Sequence, residues 1–364
     1  MLTGGLALRA GPRISRRGAP NELREGGLAV RLGGDECAVV LADAARNRAK
    51  GGGALHLERT GLVRSVGWRA DLRSPRDAHA IAAPGACDTC LVSDDAMATA
   101  DVVVQERRWA DLLGRLAIPA EILESAEESP YRFDPAVFEA AALGALDRHM
   151  DSAADRAARD ALPPGGSVLD VGVGGGAASL RLGRDGARLV GVDASRELLE
   201  VFSNLASAGG IDATAVEGTW PDVAASVPVA DVVVCHNVVY NVPALGAFTR
   251  ALGRHATARV VIELTAEHPL AWMRPYWRAL HGLDRPDGPT ADDAIAVVAA
   301  TGADLHVERS TRSVEVVDGA HPDAVGQLAR RLCVARDRDG EVARLMEEHP
   351  PPTTRAVVTL WWDA

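Results

Sequence analysis

The residues best suited to chemistry lie between Asp170 and Asp193. Ser167-Val-Leu-Asp170-Val-Gly172-Val-Gly174-Gly-Gly176-Ala-Ala-Ser-Leu180 reads as a short buried strand, a glycine loop and a helix start. Glycines at 172, 174 and 176 let the backbone turn sharply and approach a ligand closely, while the helix N-terminus that follows offers N–H groups to an anion. A second strand, Ala187-Arg-Leu-Val-Gly-Val-Asp193, ends in an acid placed to accept hydrogen bonds from ribose hydroxyls. Ser195 then caps a helix with Leu198, Leu199, Phe202 and Leu205 on one face. The loop also satisfies the dinucleotide pattern GxGxxG/A, and a dinucleotide enzyme would carry the same acid after its second strand. A nicotinamide- or flavin-dependent oxidoreductase therefore belongs among the readings of this segment. Asp170, two residues before the first glycine, is the feature that separates it from the alternative.

In these residues the chain resembles the class I S-adenosylmethionine-dependent methyltransferases. Their first motif, a strand ending in Asp or Glu followed by x-Gly-x-Gly-x-Gly, is matched by Asp170, Gly172, Gly174 and Gly176, and their acid after strand two by Asp193. The resemblance runs from about Trp109 to Ala364. It continues through Ile211–Glu217, Ala230–Cys235 and Arg259–Glu263 as strands three to five, Asp304–Arg309 as strand six and Arg355–Trp362 as a last strand. It implies an α/β fold: a Rossmann-like, doubly wound, seven-stranded sheet, mostly parallel with the last strand antiparallel, preceded by a helical cap. It also implies S-adenosyl-L-methionine as cofactor, with Gly172 and Gly174 under the methionine moiety, Asp193 on the ribose, and the loop Gly218-Thr219-Trp220 beside the adenine. Many members have Asp where Thr219 stands here. The implied activity is methyl transfer to an oxygen, nitrogen or carbon of a small molecule. A non-catalytic protein binding the same cofactor as a regulatory ligand would show the same motifs.

In a doubly wound sheet the ligand crevice lies beyond the carboxyl ends of the strands. After strand four these residues are His236-Asn237-Val-Val-Tyr240-Asn241, four polar groups beyond an apolar strand. His236 could act as a general base on the acceptor, or hydrogen-bond the cofactor or a loop carbonyl. Tyr240 could orient a donor or stack on the acceptor, with Asn237 and Asn241 beside it. The Asn/Asp-Pro-Pro-aromatic motif of base-nitrogen methylases is absent, as is a Pro-Cys nucleophile, and Cys235 reads as a buried strand residue. Glu263 could bind an amine or cap a helix. Between Pro269 and Pro289, the aromatics Trp272, Tyr276 and Trp277 fall near one helical face, which makes either a core stripe or a lid over the acceptor.

Bulk properties agree with a small-molecule enzyme. The 364 residues are 47% hydrophobic and 24% charged, a globular mix. Residues 1–96 carry 14 basic and 11 acidic side chains, whereas the rest carries 25 and 39. That acidic balance argues against a phosphate-tracking nucleic-acid surface. No apolar run approaches the roughly 18 residues that cross a bilayer, and a cytoplasmic location is expected. Five cysteines spread thinly do not suggest a disulfide framework, and no metal site is expected. Residues 1–96 read as a poorly defined, possibly disordered extension. Within it Leu28–Leu41 forms a hairpin pattern with Gly33-Gly34-Asp35-Glu36 at its tip, similar over some fifteen residues to the signature hairpin of diguanylate cyclases but without that family's upstream metal-binding aspartate. Cys87-Asp-Thr-Cys90 is a lone pair of thiols. Residues 97–162 read as a helical cap, including one long helix from Asp134-Pro135 towards Leu162, and 163–364 as the nucleotide-binding domain.

Overall fold

The computed structural model describes residues 94–132, 134–148, 150–313 and 323–364, with five earlier strands at Leu23–Arg24, Gly27–Arg31, Cys37–Leu41, Gly53–Arg59 and Leu62–Trp68. Two compact units result, Met1–Ala100 and Asp101–Ala364. In the first, Gly27–Arg31 pairs antiparallel with Leu23–Arg24 on one side and with Cys37–Leu41 on the other, Arg31 standing opposite Cys37. Gly53–Arg59 and Leu62–Trp68 form a second antiparallel pair. The tip residues Gly33–Glu36 and the Cys87–Cys90 pair lie outside the described residues.

The second unit is built on one seven-stranded sheet. Its strands are β1 (Ser167–Val171), β2 (Arg188–Asp193), β3 (Ala213–Glu217), β4 (Ala230–His236), β5 (Ala256–Thr265), β6 (His306–Ser313) and β7 (Thr354–Asp363). Their order is β3-β2-β1-β4-β5-β7-β6. The first five are parallel, and β7 runs antiparallel between β5 and β6. Central parallel strands are covered on both faces, so their sequences are continuous apolar runs, and the body of β4, Val232 to Cys235, is fully buried.

Alternation along each strand assigns side chains to faces. Val232, Val234 and Val261 join one buried cluster with Val168, Phe202 and the alanines of the helix Ala153–Ala161. Val233, Cys235 and Ile262 join the other, with Phe248, Leu252 and Trp109. A third apolar cluster is helical. Tyr276 and Trp277 of the helix Arg274–His281 pack with Leu328 and Ala329 of Ala324–Arg331 and with Val342 and Leu345 of Asp339–Glu348.

The expected long helix from Pro135 to Leu162 is two helices, Pro135–Asp147 and Ala153–Ala161. Arg148 is extended, and Ser152 opens the second helix with a reciprocal capping box: Asp155 N–H donates to Ser152 Oγ at 3.1 Å and Ser152 N–H to Asp155 Oδ2 at 2.8 Å. Apolar periodicity carries through such a break, whereas the cap satisfies backbone donors that a continuous helix would not leave open. The helix containing Trp109 spans Asp94–Gly114, so Leu116 and Ile118 fall in the turn after it.

Phe202, fully buried on the helix Arg196–Ala208, fixes two glycines from a distance in sequence. A Cβ on Gly176 or on Gly191 would stand 2.8 Å from its ring. Phe202→Ala is therefore expected to cost about 3–5 kcal/mol, the range for emptying an aromatic core site. Gly191→Ala should also destabilise, and combining the two should cost less than their sum by at least about 0.5 kcal/mol because the cavity accepts the new methyl. Urea unfolding of the single and double variants measures this, and strict additivity would show that Phe202 does not set the need for glycine.

Candidate active site

The glycine loop follows β1 directly, and the end of β2 holds it in place. Gly172 N–H and Val173 N–H both donate to Val192 O, at 2.8 and 3.0 Å, and Gly174 N–H donates to Asp193 Oδ2 at 2.9 Å. Gly176 N–H closes the turn onto Val173 O at 2.8 Å. The backbone is left-handed at Gly172, Gly174 and Gly176, with φ of 74°, 52° and 92°, a region that excludes other residues at a cost of about 1–2 kcal/mol each. Space is equally tight. A Cβ on Gly172 would meet Val238 Cγ2 at 2.3 Å, and one on Gly174 would meet Phe138 Cδ1 at 2.9 Å. The loop thus carries Val238 and Phe138 against its glycines.

Asp193 uses its second carboxylate oxygen to accept from Ser195 N–H at 2.9 Å, and its carbonyl accepts from Gly218 N–H at 2.9 Å. One lone pair on each carboxylate oxygen is therefore spent on the backbone. The second lone pairs are what a ligand could use.

Asp170 is the unusual group. It is buried, with neither carboxylate oxygen in a well-formed hydrogen bond within the protein; Ser179 Oγ is the polar side chain beside it. Burial, with the nearby charge of Asp193 adding to it and Ser179 opposing, pushes its pKa up to about 7. Such an orphaned acid calls for a cation or donor from outside the chain.

At the end of β4, His236 stands in register with Glu263 of β5, and both side chains point to the face covered by Ala153–Ala161. His236 Nδ1 is 4.0 Å from Glu263 Oε1, and Nε2 is buried without a partner. Glu263 lies inside β5 rather than at a helix start, and its Oε1 accepts from Arg312 Nη2 at 2.6 Å, so it is neither a cap nor an unpaired acid awaiting an amine. Burial lowers the His236 pKa below its ordinary value against the pull of Glu263 and Asp155, so the ring is neutral at pH 7. Cys235, on the opposite face, has its thiol pushed up by burial and by Asp170 and is no nucleophile at that pH.

The other expected site residues separate into two groups. Asn237, with a left-handed φ of 59°, and Asn241 are exposed beside the strand end. Gly218 is half-buried and Thr219 exposed in the loop after β3. Trp220, by contrast, turns inward: it is buried, edge-on to His255 at 4.7 Å, and belongs to the core. Tyr240 is buried too, donating its hydroxyl to Thr265 O at 2.8 Å and lying against Trp109 at 5.6 Å and His268 at 5.2 Å. Burial raises its pKa well above the ordinary phenol value, so it is no base. Tyr276 is fully buried in the helical cluster and donates to His349 O, which leaves no face for a ligand; the aromatic stripe is core there, with Trp272 half-buried against it at 5.6 Å. Residues that sequence reasoning passed over are Phe138, Arg148, Asp155 and Arg312. Asp155 belongs to the Ser152 capping box, the other three to no motif, and only the fold brings them here.

A glycine loop after β1, an acid after β2 and the strand order 3-2-1-4-5-7-6 together define the class I methyltransferase fold. Comparison with known proteins agrees: the family model described as "Methyltransferase domain" matches residues 168–258, and this segment is a class I methyltransferase domain. Over 91 residues the chain is 36% identical to the ubiquinone biosynthesis O-methyltransferase of Proteus mirabilis, a match covering 25% of this chain and 37% of that protein. The match thus spans well under half the relative's length. Among solved structures, a SAM-dependent methyltransferase from Thiobacillus denitrificans in complex with S-adenosyl-L-homocysteine is similar at 19% identity, covering 68% of this chain and 100% of that one with a TM-score of 0.41. The YcgJ protein of Bacillus subtilis is similar at 16% identity, covering 56% and 94%, with a TM-score of 0.38. No described helix is long and apolar enough to cross a membrane.

The raised pKa of Asp170 has a measurable consequence. The unfolded carboxyl ionises near 3.8 and the folded one near 7, so between these values the unfolded chain loses its proton first and stability falls as pH rises. Above pH 7 the full penalty persists, on the order of 4 kcal/mol at most. Asp170→Asn is expected to flatten the fall between pH 4 and 7 and to stabilise the ligand-free protein at pH 8. Urea unfolding across pH checks this, and an unchanged pH profile would contradict a buried, unpartnered carboxyl.

Proposed function

We propose that the protein transfers the methyl group of S-adenosyl-L-methionine to an oxygen of a small-molecule acceptor. The observation that carries this reading is Asp170, a buried carboxylate with both oxygens unpartnered at the mouth of a glycine loop whose N–H groups at 172, 173, 174 and 176 are already bonded within the chain. A pyrophosphate would need those N–H groups and would be repelled by the acid, which weighs against a dinucleotide oxidoreductase. An aminoacyl-type ligand with an ammonium and a positive sulfur suits the acid. The residues present therefore fit this cofactor: Asp170 would receive its ammonium, and the remaining Asp193 lone pairs its ribose hydroxyls. The glycine loop would run beneath it, with Gly218 and Thr219 beside its base.

When bound, the cofactor supplies an electrophilic methyl on a departing thioether. The chain's own contribution is positioning and proton removal. An oxygen acceptor is favoured by the name of the Proteus relative, and His236, its pKa lowered by burial, is the candidate base. Asn237 and Asn241 are exposed just after it in sequence, while Tyr240, its hydroxyl committed to Thr265, belongs to the core on the other face of the sheet. A small-molecule acceptor accords with an acidic chain, net −11, that has no basic stripe.

Calorimetric titration with S-adenosyl-L-methionine tests the reading. Binding is expected with net proton release near pH 6.5, because a cation beside Asp170 lowers its pKa, and the released protons appear as a dependence of the measured heat on buffer ionisation. Asp193→Ala should weaken binding by about 1.5–3 kcal/mol. His236→Ala should leave affinity within about threefold while lowering S-adenosylhomocysteine formation about ten- to a thousandfold across a panel of hydroxyl-bearing metabolites. No binding of the cofactor, or tighter binding of a nicotinamide dinucleotide, would sink the proposal. Binding with no turnover on any acceptor would leave the regulatory, non-catalytic reading.

A further inference from the structure

β6 closes one side of the sheet, and among the described residues no strand pairs with its outer edge. A strand in that position presents a row of backbone N–H and C=O groups that water or another strand must satisfy. Many proteins blunt such an edge by keeping it short, bulging it, or placing proline or lysine on it. β6 has none of these features. It runs eight residues, His306-Val-Glu-Arg-Ser-Thr-Arg-Ser313, in unbroken register with β7, and every residue but the half-buried Glu308 is exposed. Its charges, Glu308, Arg309 and Arg312, decide which strand can lie against it.

A second copy of β6 can lie there antiparallel, about a two-fold axis normal to the sheet. Side chains must keep to their own faces, so the axis has to pass through a residue. Centred on Glu308, Arg309 or Arg312, such a pairing sets like charges directly opposite one another. Centred on Thr311, it sets both arginines opposite serines. Centred on Ser310, it pairs all of residues 307–313, puts Glu308 opposite Arg312 on both sides of the axis, and puts Arg309 opposite Thr311. Opposite charges facing each other across a strand pair contribute about 0.2–1 kcal/mol each, whereas like charges oppose pairing. The edge is therefore complementary to itself in one register.

We propose that β6 is an interface between two copies of this chain, joined antiparallel about Ser310 so that one sheet runs on into the other. Glu308 already accepts from Arg156 through Oε1, and Arg312 donates to Glu263 through Nη2, each at 2.6 Å, yet both side chains remain 42% exposed. Contact across the axis extends these pairs into a row of alternating charge, Arg156–Glu308 from one copy and Arg312–Glu263 from the other. Arg309 lies on the opposite face, held by Asp292, and does not compete. The interface is narrow, a strip of backbone hydrogen bonds flanked by two ion pairs, so the dimer dissociates on dilution. It does not depend on the methyl-transfer reading.

Sedimentation velocity of the full chain, from about 1 to 200 micromolar, is expected to show a reversible monomer–dimer equilibrium. Glu308→Arg sets an arginine opposite Arg312 and should weaken the dimer about tenfold or more, with urea unfolding confirming that the variant is folded. Ser310→Cys, on the axis, should link to its own copy under mild oxidation, because directly opposed residues stand about 4.5–5.5 Å apart at Cα, within reach of a disulfide. Thr311→Cys, one residue further on, faces Arg309 of the other copy and should not. The unsubstituted chain, oxidised in parallel, gives the background from its own five cysteines, and peptide mass spectrometry locates the new bond. Should Ser310→Cys fail to fold, the dilution series of the wild-type chain and of Glu308→Arg decides the matter. A chain that stays monomeric throughout, a dimer indifferent to Glu308→Arg, or linkage through Thr311→Cys as readily as through Ser310→Cys would overturn the proposal.

Discussion

The grip of β2 on the glycine loop is the constraint on which the site depends. Val192 O and the Asp193 side chain together accept from Gly172, Val173 and Gly174, and Asp193 also reaches Ser195 at the start of the next helix and, through its carbonyl, Gly218 after β3. One residue therefore ties three loops at the carboxyl edge of the sheet. Four N–H groups of the loop, at 172, 173, 174 and 176, are spent within the chain. The carboxyl left without an internal countercharge beside the loop is that of Asp170.

The carboxylates around this edge meet burial in different ways. Asp155 is taken out of water, which would raise its pKa, yet hydrogen bonds from Ser152 and the nearby Arg148 outweigh burial and keep it below the ordinary value. Glu263 is matched by Arg312. Asp170 has no such partner and is raised to about 7. The acid that the protein leaves uncompensated is the one at the glycine loop, where a cationic ligand would supply what the chain does not. Asp155 and Glu263 are paired internally, and Asp170 is left without a countercharge.

The aromatic residues follow a similar division. Trp109 donates its indole N–H to Val242 O at 2.7 Å and lies against Tyr240, whose own hydroxyl is fixed on Thr265. These rings brace the segment after β4 from the core side. Tyr276 and Trp277 instead knit a helical layer with Leu328 and Leu345. Rings near the carboxyl edge in sequence are thus core and supports, while the asparagines at 237 and 241 stay exposed.

The amino-acid sequence by itself determined the sheet strands and the loop. Apolar runs at 167–171, 188–193 and 230–236 specify buried parallel strands because both faces must be covered, and glycines at 172, 174 and 176 mark a backbone that only they can follow. The positions of Asp170, Asp193 and His236 were legible for the same reason, each being the last or next-to-last residue of its strand. Tertiary structure alone decided which of the candidate side chains are buried in the core and which stay exposed. Periodicity places Tyr276 on a helical face but cannot say what covers it, and here two later helices do. Nor does any local pattern pair Arg312 with Glu263, 49 residues apart in sequence, or set Phe138 over Gly174. Those contacts arise from strand order and helix docking, which are properties of the packed whole and have no signature in a short stretch of chain.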